Sequence, residues 1–265
     1  MREHPLDPEA PDLSGHVALV TGGGSGIGRA IALSLARSGA AIAVSGRRRP
    51  PLEETVAAIE AAGERGLAVT GDVALAADAQ RMVTETAHAF GGLHIVVNNA
   101  GVAHAGPPGE QDPETIDRLI DIDLKGPIHV THAALAFLGT NRDAGGSAVV
   151  NVSSSVTQHP VPGYSVYAAA KAGLDMLTRG WARELAAQRI RVNAVCPGVV
   201  RTAIHDLRGS PAEVAMFLRM VGKQTPLGRV GEPDDIARLV RFLASPRGDW
   251  ITGAVIPIDG GLSLL

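Results

Sequence analysis

The chain has 265 residues, of which 45% are hydrophobic and only 3% aromatic, so Val, Ile, Leu and Ala must build one large α/β core. A formal charge of −3 and the lack of any apolar run near ~20 residues exclude a nucleic-acid surface and a membrane span. The single cysteine excludes an intramolecular disulfide framework and fits a reducing, cytoplasmic setting.

Residues 1–13 hold Pro5, Pro8 and Pro11 among charges, without the apolar stretch of a signal peptide. They read as a flexible arm ahead of one domain over 14–265. Val17-Ala18-Leu19-Val20 then reads as a fully buried parallel strand. It leads into Thr21-Gly22-Gly23-Gly24-Ser25-Gly26-Ile27-Gly28, and an apolar helical stretch follows, closed by Gly39. Strand, glycine turn and helix in that order make a dinucleotide phosphate site. Glycines let backbone N–H groups approach a pyrophosphate, and the helix N-terminus adds oriented donors. Three residues separate Gly22 from Gly26, so the turn should be wider than in the common G-x-G-x-x-G fingerprint.

The alternation continues along the chain. Strands are predicted at 41–44, 67–69, 94–97, 148–152, 190–195 and 254–258, and helices at about 52–62, 76–90, 113–138, 164–187 and 233–243. This pattern predicts an α/β Rossmann fold: a doubly wound parallel sheet with right-handed crossovers and helices on both faces. The one long irregular connection, 197–233, holds a short helical run near 211–220. Its segment 203–229 is expected to form a substrate lid. Ile204, Leu207, Val214, Met216, Phe217 and Met220 there suggest a mostly apolar substrate.

The end of the second strand faces the adenosine ribose in such folds. An acid there accepts from a 2′-hydroxyl, whereas arginine accommodates a 2′-phosphate. The chain has Ser45-Gly46-Arg47-Arg48-Arg49 and no carboxylate. Arg47 is the best placed, so NADP(H) is preferred, with NAD(H) not excluded. Asp72, after the third strand, can accept from the adenine amino group or form an Asx-turn.

Tyr167-Ala168-Ala169-Ala170-Lys171 puts a phenol and an ammonium on one helix face. Deprotonating a phenol of pKa ~10 at neutral pH costs roughly 4 kcal/mol. A cation ~4 Å away returns a similar amount at an effective dielectric near 20, less desolvation. Lys171 can also hold the nicotinamide ribose. Ser154 lies at the carboxyl end of the fifth strand, where a hydroxyl faces the ligand crevice and can donate to a carbonyl oxygen. In an extended segment its neighbours Ser153 and Ser155 point the other way.

With these residues on the page, the chain resembles the short-chain dehydrogenase/reductase family over about residues 14–262. The landmarks are the Thr21–Gly28 turn, Asp72-Val73, Asn98-Asn99-Ala100-Gly101, Ser154, Tyr167/Lys171, Pro197-Gly198 with Thr202, and Asp259-Gly260-Gly261. The resemblance implies seven strands, usually a homotetramer, and a tyrosine general acid/base with a serine that positions the substrate oxygen. It implies cofactor contacts at Gly22, Ser25, Gly26, Ile27, Gly28, Asp72, Val73, Asn99, Ala100, Gly101, Tyr167 and Lys171. Asn98 should stabilise the sheet, and Pro197, Gly198, Val200 and Thr202 should hold the nicotinamide carboxamide. One position departs from the pattern. The family usually has Asn where this chain reads Ile122-Asp123-Leu124-Lys125-Gly126. In the family that residue's backbone carbonyl anchors a water leading to the lysine, and Asp123 keeps the carbonyl. Its extra anion should raise the tyrosine pKa and give an alkaline-shifted optimum.

The expected activity is interconversion of a secondary alcohol and a ketone, with Ser154, Tyr167, Lys171 and Asp123 at the catalytic centre. An epimerase or dehydratase retaining its nucleotide, and a non-catalytic dinucleotide-binding regulator, are the alternatives. His104, Gln158 and His159 are expected on loops rimming the pocket. Cys196 reads as a small buried filler, and no His/Cys/Asp/Glu group has metal-ligand spacing.

Overall fold

The computed structural model describes residues 12–139, 146–203 and 209–265. Seven strands are β1 (Val17–Thr21), β2 (Ala41–Gly46), β3 (Gly66–Thr70), β4 (Ile95–Asn98), β5 (Ser147–Val152), β6 (Ile190–Pro197) and β7 (Val255–Ile258). The helices are α1 (Gly26–Ala36), α2 (Arg49–Ala61), α3 (Ala76–Phe90), α4 (Pro113–Ile120), α5 (Gly126–Leu138), α6 (Ser165–Leu185), α7 (Pro211–Gln224) and α8 (Pro233–Ala244). The strands make one parallel sheet in the order β3-β2-β1-β4-β5-β6-β7. Among the described residues no helix is long and apolar enough to cross a membrane.

The strands are mostly apolar because both sheet faces are covered. Ala18 and Val20 of β1 pack with Ile31 and Leu35 of α1 and with Ile236, Val240 and Leu243 of α8. Val17 and Leu19, pointing the other way, pack with Met82 and Val83 of α3, Val130 and Ala134 of α5, and Leu185 of α6. The chain runs outward from β1 to β3 and returns to place β4 on the other side of β1. That reversal opens a crevice at the carboxyl ends of β1 and β4, where ligands bind in open α/β sheets.

Three expectations change. The helix predicted over 113–138 is interrupted: a π-helical turn, Asp121–Lys125, separates α4 from α5. Pro127 has no N–H to give the carbonyl of Asp123, so the α-helical register fails there. α2 starts at Arg49, earlier than predicted, because Pro50 and Pro51 suit a first helical turn. Of the expected arm, residues 1–11 lie outside the described residues, whereas Leu13 is fully buried and its N–H donates to the Ser38 carbonyl. Asp12 pairs with Arg247 at 3.1 Å.

At the opposite end of the sheet from the crevice, His94 Nδ1 accepts from the Val17 N–H at 3.1 Å. Its ring lies 5.3 Å from that of His16. Burial, and then the His16 charge, hold the His94 pKa below the ordinary 6.5. The unfolded chain therefore binds the proton more readily than the folded one, and His94 contributes stability above about pH 6.5 that is lost as pH falls below it. The unfolding midpoint in urea should fall on acidification from pH 7.5 to 5, and less steeply in His94→Asn, whose carbonyl can accept the same N–H without titrating. Equal slopes in the two proteins would exclude this role.

Candidate active site

The glycine turn is held from below. Thr21 Oγ1 accepts from the N–H groups of Asn99 and Ala100, both at 3.0 Å. Asn99 Nδ2 donates to the carbonyls of Thr21 at 2.8 Å and Gly22 at 3.3 Å. The ends of β1 and β4 are thus tied together at the crevice, and the Asn99 side chain is spent on the turn. A Cβ on Gly28 would lie 2.3 Å from the Gly22 carbonyl oxygen, so only glycine lets α1 start so close to the strand. No side chain caps α1 and no acid sits in its first turn. Its first N–H groups are left to an anion.

Above this turn runs a groove of about 410 Å³. Its walls include Gly22, Ser25, Arg47, Asp72, Val73, Ala100 and Gly101, all expected. Arg48, Val102 and Ile122 also line it and were not expected to. A larger cleft of about 690 Å³ adjoins it, but its walls carry Asp112, Glu114, Asp117 and Asp121, which repel phosphate. The smaller groove therefore fits a dinucleotide: uncapped helix end, glycine floor and arginines at one end. Arg49 turns back to Glu53 at 2.7 Å, whereas Arg47 and Arg48 stay exposed on the groove. Asp72 Oδ1 accepts from the Ala74 N–H at 3.0 Å, which is the local turn reading, while the residue still faces the groove. Pro197 ends β6 and Gly198 leads to Val200, which bridges to Gly231. Thr202 reaches over the turn, its Cγ2 3.1 Å from where a Cβ on Gly26 would lie.

Behind the groove, α6 presents Tyr167 and Lys171. Lys171 is buried, and its Nζ donates to the Val152 carbonyl at 3.0 Å and pairs with Asp123 Oδ1 at 2.9 Å. It lies 5.9 Å from the centre of the Tyr167 ring. Asp123 is fully buried in the π-helical turn, and its Oδ2 accepts from the Val102 N–H at 3.1 Å. The structure thus adds a direct partner that the sequence reading lacked: the carboxylate itself clasps the ammonium. Ser154 stands near the phenol and favours its ionised form, while Ser153 Oγ turns away to the Lys171 carbonyl at 3.4 Å.

The charges around Tyr167 do not sum as first expected. Its pKa is raised above 10, with burial the largest cause. Lys171 pulls it down, Asp123 pushes it up, Ser154 pulls it down and Tyr164, 6.2 Å away ring to ring, pushes it up. Lys171 is itself held above its ordinary value. Burial acts against the ammonium, but Asp123, Tyr167 and Asp175 outweigh it. Asp123 therefore keeps the lysine charged while opposing the ionisation of the tyrosine. Cys196 is buried and its thiol is pushed up to about 12, so it is no nucleophile.

On α7, Val214 and Phe217 pack against Leu218, Val221 and Val230, and Met216 and Met220 are exposed. Ile204 and Leu207 lie outside the described residues.

Gly101 is the wall shared by groove and ion pair. A Cβ there would lie 2.7 Å from Asp123 Oδ1 and 3.4 Å from Lys171 Nζ. Gly101→Ala should destabilise the protein by about 1–3 kcal/mol, the usual cost of overpacking, measured by urea unfolding. Unchanged stability would mean that the pair can shift without loss.

Comparison with known proteins agrees with this geometry. The family model described as enoyl-(acyl carrier protein) reductase matches residues 22–263. An uncharacterized oxidoreductase of Methylorubrum extorquens is 40% identical over 254 residues, covering 94% of this chain and 98% of that protein. The tetrahydroxynaphthalene reductase of Pyricularia oryzae is 37% identical over 97% of this chain and 93% of its own. Among solved structures, a blue fluorescent protein from a metagenomic library in complex with NADPH superposes with a TM-score of 0.85 at 34% identity, over 95% of this chain and 99% of that one. Fold, glycine turn and matches agree, and the chain belongs to the short-chain dehydrogenase/reductase family.

Proposed function

We propose that this oxidoreductase interconverts a secondary alcohol and a ketone, prefers NADP(H), and runs as a ketone reductase near neutral pH. The observation that carries the reading is that Ser154, Tyr167 and Lys171 stand together, with Lys171 just across Gly101 from the dinucleotide groove. The chemistry supplied by bound NADP(H) is hydride transfer to or from the substrate carbon. Gly22, Ser25 and the first turn of α1 would hold the pyrophosphate, Arg47 and Arg48 the 2′-phosphate, and Pro197–Thr202 the nicotinamide end. Ser154 donates to the substrate oxygen, and Tyr167 gives it a proton as charge builds there. A phenol held protonated is ready for that step, whereas alcohol oxidation needs the phenolate and hence higher pH. Lys171 uses one donor on Val152 and one on Asp123, which leaves a third for the ribose or the phenol. Helix α7, within the expected lid, would cover the substrate. The enzyme would act in the cytoplasm as a homotetramer.

A panel of ketones and alcohols with both nicotinamides, read by absorbance, tests the activity. Turnover should fall about 10²–10⁴-fold in Tyr167→Phe with the fold intact. Conversion without any net change in nicotinamide absorbance would point to an epimerase or dehydratase instead.

Arg47→Asp should raise the KM for NADPH about 10–100-fold, the loss of a charge-assisted contact, and leave NADH unharmed. Parallel losses for both cofactors would remove Arg47 from phosphate recognition.

Asp123→Asn removes the anion that raises Tyr167. The phenol should then ionise at lower pH. The alkaline fall of ketone reduction and the rise of alcohol oxidation should both move toward acid. An unmoved pH–rate profile would refute the role given to Asp123.

A further inference from the structure

Two loops flank the catalytic tyrosine, one following β4 and one leading into α6. They touch through two glycines: the Gly106 N–H donates to the Gly163 carbonyl at 2.9 Å. Gln111, just before the first residue of the α4 cap, closes the contact from the side. Its Nε2 donates to the Gly106 carbonyl at 2.8 Å and to the Gly163 carbonyl at 3.4 Å. The far end of the amide, Oε1, is buried and has no hydrogen-bond partner, so the side chain is anchored through its NH2 alone. Space confirms that the fit is close. A Cβ on Gly106 would lie 2.8 Å from Gln111 Cγ, and one on Gly163 would lie 3.6 Å from the Gly106 nitrogen. Gly163 has φ +84°, a conformation that favours glycine, and it stands four residues before Tyr167 and next to Tyr164.

We propose that Gln111 is a positioning residue that sets the width of the substrate cleft by clamping the loop after β4 to the segment entering α6. This rests on the ketone-reductase reading of the same site. Gln111 touches neither the groove nor the phenol, so it acts through Gly163 and the start of α6. Its loss releases the wall against which a ketone is held, and leaves Tyr167, Lys171 and the dinucleotide groove intact. The effect falls on substrate binding rather than on the proton transfer.

The test is Gln111→Leu, which keeps much of the volume and removes both donors. Loss of a hydrogen bond worth ~1.4 kcal/mol is tenfold. The KM for a ketone identified in the panel should therefore rise about tenfold, with kcat and the Kd of NADPH unchanged. Amide hydrogen exchange at Gly106, whose N–H donates to the Gly163 carbonyl, and at Tyr164 should quicken in the same variant, a readout that needs no turnover. Unchanged exchange at these amides, or a fall in kcat with KM unmoved, overturns the clamp. If the unmodified enzyme turns over no ketone, the reductase reading fails, and exchange alone then decides the clamp: quickened supports it and unchanged overturns it.

Discussion

Lys171 is a full charge shut away from water, and the site depends on how that charge is satisfied. An unpaired ammonium in such a place would lose its proton or unfold its surroundings. Here a strand-end carbonyl and a buried carboxylate hold it at 3.0 and 2.9 Å. The same carboxylate opposes ionisation of the neighbouring phenol. Lysine and aspartate thus act on Tyr167 with opposite signs, and burial tips the balance toward the protonated form. The phenol is therefore held in its protonated form.

The fold delivers these groups from separate parts of the sheet. β5 ends beside Ser154 and supplies the Val152 carbonyl, α6 brings Tyr167 and Lys171, and the π-helical turn before α5 brings Asp123. The turn is what lets Asp123 reach inward. Pro127 breaks the α-helical ladder there, and Gly101 leaves room for the carboxylate on the groove side. On the far side of the groove, the thrift of the glycine turn serves the same end. Thr21 and Asn99 use their hydrogen bonds to fix the backbone, so the α1 N-terminus remains open. Protein dipoles and charges are in place before any ligand arrives, which is the preorganisation that electrostatic catalysis needs.

Much of this could be read from the residues. Val17–Val20 with the glycine run identified β1, the glycine turn and α1, because a strand buried on both faces leaves a continuous apolar run. The four-residue spacing of Tyr167 and Lys171 placed them on one helix face. What escaped was either local and subtle or long-range. Pro127 could have flagged the break in 113–138, since a proline inside a helical run removes a donor. Pro50 and Pro51 could have moved the start of α2 and with it drawn Arg48 to the groove. The Lys171–Asp123 clasp was not legible, because 48 residues and two elements separate the partners. Nor was the net effect on Tyr167: the sequence suggested both the cation and the opposing anion, but the burial that outweighs the cation appears only when the chain is folded. Gln111 has no sequence signature; its role comes from two glycine carbonyls that only the fold brings together.

The charge balance around Tyr167 can be measured directly. The chain has two tyrosines, so a Tyr164→Phe protein reports one phenol by ultraviolet difference titration. Without cofactor, that phenol should ionise above the ordinary 10, and Lys171→Met in the same background should push it higher still. A phenol that titrates near neutrality, or one indifferent to the loss of Lys171, would contradict the account.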